Sequence, residues 1–411
     1  MTEQTLIDVI VIGGGVVGLA AAYAAARRGQ RTVLLERRSF FHDETASSGL
    51  SRQFRLQYDD PTISRLVQEA MPLWRELEEQ GGEKLNHQVG CLWFGDPAAP
   101  GAEGQIDNVL RTMADLGIPF DRLTAGEITE QYGFTGIPES WTGFFQPDGA
   151  ATNVKATLKA LYRAGVTAGV EMRSGTAVRD IAAHGDGVRI TTEAGELIDG
   201  RKLIIAAGPE TNSLLRVLGI ELRTTVWEMV SACFAVRPGG AGSEPLPTWI
   251  DFQQSAHDDP GLYYGFPELP WERGGHMRIG ANYPSRVMAD GAISRTRPDP
   301  ATVTRLSEWV AQHMPGLDPA PVDPTTCVCS LFTDPAQPQT LSRQLLLDFL
   351  PDVVPAADDV VVCATGWVFK IAPLLGSICV DLAVDGTTTH DISGARLKRE
   401  QWRLVRAEAV V

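Results

Sequence analysis

Apolar positions along the chain switch repeatedly between short continuous runs and helical spacing, a pattern that predicts an α/β fold. Residues 7–12 form a β-branched apolar run, as in a strand buried on both faces. A glycine-rich turn follows at 13–18. Residues 19–28 are alanine-rich and read as a helix closed by Gly29. A second strand is expected at 31–36, which completes a βαβ unit of about thirty residues. Ile63, Leu66, Val67, Ala70, Leu73, Trp74 and Leu77 recur at helical spacing and predict a helix over 61–80. A further helix is expected at 153–164. Strands are expected at 171–178 and 188–192, with a Gly-Asp-Gly turn at 185–187, and a buried strand at 202–207 precedes Gly208-Pro209. Near the C-terminus the pattern predicts a strand at 360–364, a turn at Thr365-Gly366 and a helix over 372–384.

Two stretches break this pattern. Residues 86–149 and 222–325 read as short strands and loops, with one helix at 301–313, and the second stretch is rich in aromatics such as Trp227, Trp249, Tyr263, Tyr264 and Phe266. The expected partition is a discontinuous cofactor domain (1–85, 150–221 and 326–395), a substrate domain (86–149 and 222–325) and a C-terminal tail (396–411). The fold class is α/β (α+β): a Rossmann-type domain with an inserted antiparallel-sheet domain.

Charge narrows the partners. The net charge of −15 repels phosphate backbones and anionic lipid, so neither nucleic acid nor membrane is expected as a partner. Residues 6–26 superficially resemble a secretory leader, but Glu3 and Asp8 replace its basic start and glycines interrupt it. A cytoplasmic monomer is expected. The six cysteines lack the density of a disulfide scaffold, and no CxxC pair suggests a metal.

The sequence Gly13-Gly14-Gly15-Val16-Val17-Gly18 fits the G-x-G-x-x-G pattern between a strand and a helix. There the glycines let backbone approach a pyrophosphate and the helix N-terminus supplies free N–H groups. Glu36 stands about twenty residues on, where a carboxylate accepts from ribose hydroxyls. The motif alone does not separate FAD from NAD. Ile204-Ile205-Ala206-Ala207-Gly208 and Cys363-Ala364-Thr365-Gly366 favour FAD, because each is a strand ending in small residues, as beside a long cofactor.

Further runs extend the match beyond this fingerprint: Ser48-Gly49-Leu50-Ser51-Arg52-Gln53-Phe54-Arg55, Tyr263-Tyr264-Gly265-Phe266, Thr326-Cys327 and Gly366-Trp367-Val368-Phe369-Lys370. With them the chain resembles, end to end, the monomeric sarcosine oxidase group of the D-amino-acid oxidase superfamily. Leu92-Trp93-Phe94-Gly95-Asp96 and Gln146-Pro147-Asp148-Gly149 resemble a branch of that group acting on a cyclic imino acid, piperideine-2-carboxylate.

The resemblance implies an FAD-dependent amine or imine oxidase that uses O2 and a small carboxylate-bearing substrate. It implies FAD contacts at Gly13, Gly15, Val16, Val17, Gly18, Glu36 and Arg37, and at Ser48, Gly49, Ser51 and Arg52. It implies others at Val178, Ala207, Gly208, Gly366, Trp367, Phe369 and Lys370. By residue type a lone cysteine is a small buried hydrophobe, but the resemblance implies that Cys327 bonds to the flavin 8α carbon. Cys329, two residues on, shares its face if the segment is extended. Arg55 and Lys370 are implied to clamp the substrate carboxylate, a fork and a point charge respectively. Arg52 is implied to pack against the flavin, Trp367 against a planar substrate, and Tyr264 and Glu103 to line the pocket. Three positions depart from the pattern. Asn282 replaces an acidic residue of that branch, Arg278 a lysine linked to oxygen activation, and Ser48 a histidine.

Overall fold

A computed structural model describes residues 6–99, 105–239, 244–253, 261–288, 297–332, 345–364, 366–397 and 402–405. Its first sheet is built around β1 (Ile7–Ile12), which pairs in parallel with β2 (Thr32–Leu35) on one side and with the strand Leu197–Ile205 on the other. Between β1 and β2 runs α1 (Val16–Arg27). Period-two alternation divides the strand side chains between two cores. Val9, Val11, Leu34 and Ile204 face α1 and the helix Ala372–Asp385, while Ile10, Val33, Leu203 and Ile205 face the opposite side. Val360–Cys363 extends the sheet in parallel beside Leu197–Ile205. The sheet is therefore covered on both faces, which explains the continuous apolar runs.

The expected strand at 171–178 is two pieces. Glu171–Arg173 pairs in parallel with β2, and Val178–His184 forms an antiparallel hairpin with Gly187–Thr192. Gly175, with φ +65°, turns the chain between them. The strand expected at 202–207 begins at Leu197, because its polar first half pairs with that hairpin.

Among the described residues the second sheet has nine strands, running in the order Arg286–Met288, Thr224–Ala235, His276–Ala281, Leu262–Phe266, Thr248–Phe252, Cys91–Gly95, Thr142–Gln146 and Asp121–Thr124, with Val322–Phe332 also on Thr224–Ala235. It is antiparallel except at one seam. Cys91–Gly95 and Thr248–Phe252, one from each inserted stretch, pair in parallel. Trp249 stacks on Trp309 of the helix Pro300–His313, with ring centroids 4.8 Å apart, and anchors that helix to the sheet.

Other details depart from the sequence reading. Two helices, Ile106–Asp115 and Ala125–Tyr132, lie in the stretch read as strands and loops. The second starts on a capping box between Thr124 and Glu127. Val322–Phe332 runs unbroken through the expected boundary at 325/326. The expected tail supplies Trp402–Leu404, which pairs antiparallel with Ile220–Leu222. No helix among the described residues is long and apolar enough to cross a membrane.

Candidate active site

The turn after β1 opens a cavity of about 640 Å³ that runs from the first sheet to the second. Its geometry depends on missing side chains. Gly13 has φ +108°, and a Cβ there would lie 2.5 Å from the Ala206 carbonyl oxygen. A Cβ on Gly18 would lie 1.8 Å from the Gly13 oxygen. Gly18 therefore sits inside α1 and locks the turn, and it is not on the cavity wall, whereas Gly13, Gly15, Val16 and Val17 are. The Glu36 carboxylate closes the turn. It accepts from Gly14 N at 2.7 Å and Arg38 N at 2.8 Å. Each oxygen retains a lone pair for a further donor. Arg37 is ion-paired with Glu210, while Val178, Ala207 and Gly208 line the same end.

The segment from Thr45 to β3 (Ser51–Phe54) crosses the middle of the cavity. Ser47 Oγ accepts from Val16 N at 3.1 Å and so ties this segment to the start of α1. Arg52 donates to three carbonyls of the same stretch: Ala46 at 2.9 Å, Ser48 at 2.8 Å and Ser51 at 3.0 Å. Its guanidinium is thus set rigidly in the wall beside Ser48, Gly49 and Ser51.

Cys327 and Cys329 lie on Val322–Phe332 and both reach the cavity. They differ in freedom. A Cβ on Gly366 would lie 2.0 Å from Cys329 Sγ, so Gly366 and Cys329 are packed together, and Cys329 is 5% exposed. Cys327 is half-buried. Burial pushes its thiol up, while Arg52 and then Arg278 pull the other way. Burial, then Cys327 itself, pushes the Cys329 thiol up to about 12.

At the far end Arg55 and Lys370 are both buried, each 5% exposed. They converge on one ring. The Arg55 guanidinium lies 5.2 Å and the Lys370 ammonium 5.0 Å from the centroid of Tyr58. Arg55 Nε also donates to the Tyr58 hydroxyl at 3.0 Å, and Trp93 lies 5.6 Å from the same guanidinium. The negative ring face helps offset the burial of two like charges. Lys370 also donates to the Trp367 carbonyl. Trp367 holds φ +55°, rare for a bulky residue, and meets Trp227 edge-on at 6.2 Å. Phe369 and Lys370 form a short turn that leads into the helix Ala372–Asp385.

The second sheet supplies Tyr264, Arg278 and the buried Asn282 to the wall. Burial, then Cys327, pushes the Tyr264 phenol up to about 12. Arg278, read from the sequence as a cation in place of a lysine, has a close acidic partner that the sequence did not show. Its guanidinium is bridged to Glu272 at 3.1 Å; burial works against its charge, but Glu272, Tyr264 and Cys233 together hold its pKa raised. Glu103 lies outside the described residues. The sequence reading passed over Ser47, Tyr58, Trp227 and Glu272. Only Tyr58 and Trp227 carried a signal, Tyr58 lying in a run next to Arg55 and Trp227 in an aromatic-rich stretch.

A glycine cradle on a parallel sheet, continuous with a cationic pocket on a second sheet, defines a dinucleotide-dependent oxidoreductase. The family model for FAD dependent oxidoreductases matches residues 8–382, and the chain belongs to that family. It is similar to NikD, described as an unusual amino acid oxidase essential for nikkomycin biosynthesis. The open form of NikD is 38% identical and covers 95% of this chain and 97% of NikD, with a TM-score of 0.86. It is also similar to human peroxisomal sarcosine oxidase, 28% identical over 97% of each chain. A putative bifunctional amine oxidase of Dictyostelium discoideum is 32% identical over 97% of this chain, which spans 37% of that protein's length. The chain is thus an FAD-dependent oxidoreductase of the amine oxidase type, acting on CH–NH bonds. The site suits FAD: the turn at Gly13 can form only without a side chain, because a Cβ would strike the Ala206 carbonyl, and the cavity continues beyond it to Cys327 and Trp367.

Proposed function

We propose that the protein oxidises a small cyclic imino or amino acid, with piperideine-2-carboxylate going to picolinate as the sharpest candidate, and that Cys327 holds the flavin covalently. Bound FAD supplies one two-electron oxidation per turnover, so the aromatic product takes two rounds, and each round passes two electrons and two protons to O2, which leaves as hydrogen peroxide. The observation that carries the reading is the convergence of Arg55 and Lys370 on Tyr58 beside Trp367. Two buried cations at a cavity end bind a carboxylate, Arg through a planar fork and Lys through a point charge. Trp367, held by its own turn and by Trp227, offers a flat face to a conjugated ring. Tyr264 stays protonated across the working range and so presents a neutral O–H. The substrate nitrogen enters neutral, and Asn282 on the cavity wall is an amide that cannot serve as a base. Cys327 is the freer of the two wall thiols; burial raises its pKa, and Arg52 and Arg278 offset part of that rise.

The test is incubation of the purified holoenzyme with piperideine-2-carboxylate under oxygen. Peroxide release, with flavin bleaching when oxygen is withheld, is expected. Absence of both responses would remove this substrate. Sarcosine, pipecolate and N-methyl amino acids form the second panel, and the flat face of Trp367 argues for weaker turnover of these saturated compounds.

A further inference from the structure

The loop between Leu262–Phe266 and His276–Ala281 carries Glu272, a carboxylate behind the cavity wall. The Glu272 and Arg278 side chains retain 4% and 11% exposure. Arg278 Nε lies 3.2 Å from each carboxylate oxygen and Nη2 lies 3.1 Å from Oε1. Ser51 Oγ donates to the same carboxylate and accepts from Trp271 Nε1 at 3.0 Å. Arg278 Nη2 also reaches the Ser51 carbonyl at 3.3 Å, and the guanidinium lies 4.2 Å over Phe266. Arg278 is thereby fixed by a carboxylate, a carbonyl and a ring. Arg278 is on the cavity wall and Glu272 is not, so the cavity meets the guanidinium with its counter-charge behind it.

We infer that Glu272 is a positioning residue that aims Arg278 at the flavin cavity and limits the positive charge the cavity receives. A lone buried guanidinium would project its full charge into this low-dielectric space, whereas the pair projects only a dipole. Ser51 joins the network to β3, so the same hydroxyl that fixes Glu272 stands next to Arg52, the other cation beside Cys327. Glu228 is the acidic group that opposes them at Cys327. The inference rests on FAD occupying the cavity and not on the identity of the substrate.

Sulfite, a small anion that perturbs the visible spectrum of bound flavin, is the probe. Titration of the Glu272→Gln holoenzyme is expected to show sulfite binding about tenfold tighter, the scale on which an adjacent countercharge shifts an ionic equilibrium. Arg278→Gln alone should weaken binding, and Glu272→Gln should add nothing in that background. Glu272→Asp keeps the charge but withdraws it by one methylene, and should bind sulfite more tightly than the parent and less tightly than Glu272→Gln. Unchanged or weaker sulfite binding by Glu272→Gln, at unchanged flavin content, overturns the inference. Should that variant fail to fold, Glu272→Asp carries the test, because the carboxylate is withdrawn by one methylene. Somewhat tighter binding than the parent is then expected, and an unchanged value overturns the inference. The titration contains no amine, so failure of the substrate proposal leaves its outcome untouched.

Discussion

At the residue scale the site depends on which of two similar side chains is free to act. Cys327 and Cys329 share a strand face, but Gly366 is packed against the Cys329 sulfur. Acid denaturation of the parent protein is expected to leave yellow colour on the polypeptide. Cys327→Ala should release it into the supernatant, with no transfer to Cys329, as read by absorbance after precipitation. The two clamp cations give a second prediction. Lys370→Met removes one charge-assisted contact worth about 1.5–3 kcal/mol, so KM for a carboxylate substrate should rise roughly tenfold to a hundredfold. An amine lacking the carboxylate should be far less affected, and steady-state kinetics on the two substrates separate these effects. Motif residues were legible because a glycine turn and its acidic partner have fixed spacing. Glu272 was not, because a carboxylate in a surface-like loop sequence reveals its partner only once the sheet brings Arg278 across from it.

At the element scale, strands and helices with a single strong period were readable to within a few residues. α2 (Pro61–Gly81) and Pro300–His313 fall where their periodicity put them, each with an N-terminal proline after a capping aspartate. The misreadings have two causes. Ile106, Val109, Leu110 and Met113 do recur at helical spacing, a signal passed over because the surrounding stretch is rich in glycine and proline, whereas Ala125–Tyr132 is only two turns long and carries little period of its own. The capping box at Thr124 was the readable cue. Contact between α1 and Ala372–Asp385 yields a test at this scale. A Cβ on Gly376 would lie 2.4 Å from the Ala20 backbone carbon, and neither backbone can yield locally. Gly376→Val should cost about 1–3 kcal/mol or more. A lower melting temperature, with weaker flavin retention because α1 carries the glycine turn, is the expected reading.

At the scale of the whole molecule, burial of ionisable groups sets how the fold responds to base. Tyr132, chiefly through burial, and Tyr264 are both pushed up to about 12. In the unfolded chain a tyrosine titrates near 10. A raised native pKa means that the folded state holds its proton longer, so the contribution of these two phenols is full below about pH 10 and is lost as the pH rises through 12, while the buried Cys329 thiol, ordinarily near 9 and likewise pushed up to about 12, begins its loss earlier. Each phenol then accounts for a loss on the order of a few kcal/mol, because a tenfold difference in proton affinity between the folded and unfolded chain is worth about 1.4 kcal/mol. Melting temperatures recorded from pH 8 to 12 should drop most steeply above 10, and Tyr132→Phe should blunt the drop.

The parallel seam between Cys91–Gly95 and Thr248–Phe252 also dictates an order of assembly. During synthesis Cys91–Gly95 emerges long before its neighbour exists, and antiparallel pairing with Thr142–Gln146 is the sheet contact it can make first. Its other edge stays open until the ribosome has released more than a hundred further residues. A nascent chain stalled in that interval exposes an apolar, unpaired strand, and yield in a heterologous host depends on how quickly translation passes it or on a chaperone that covers it.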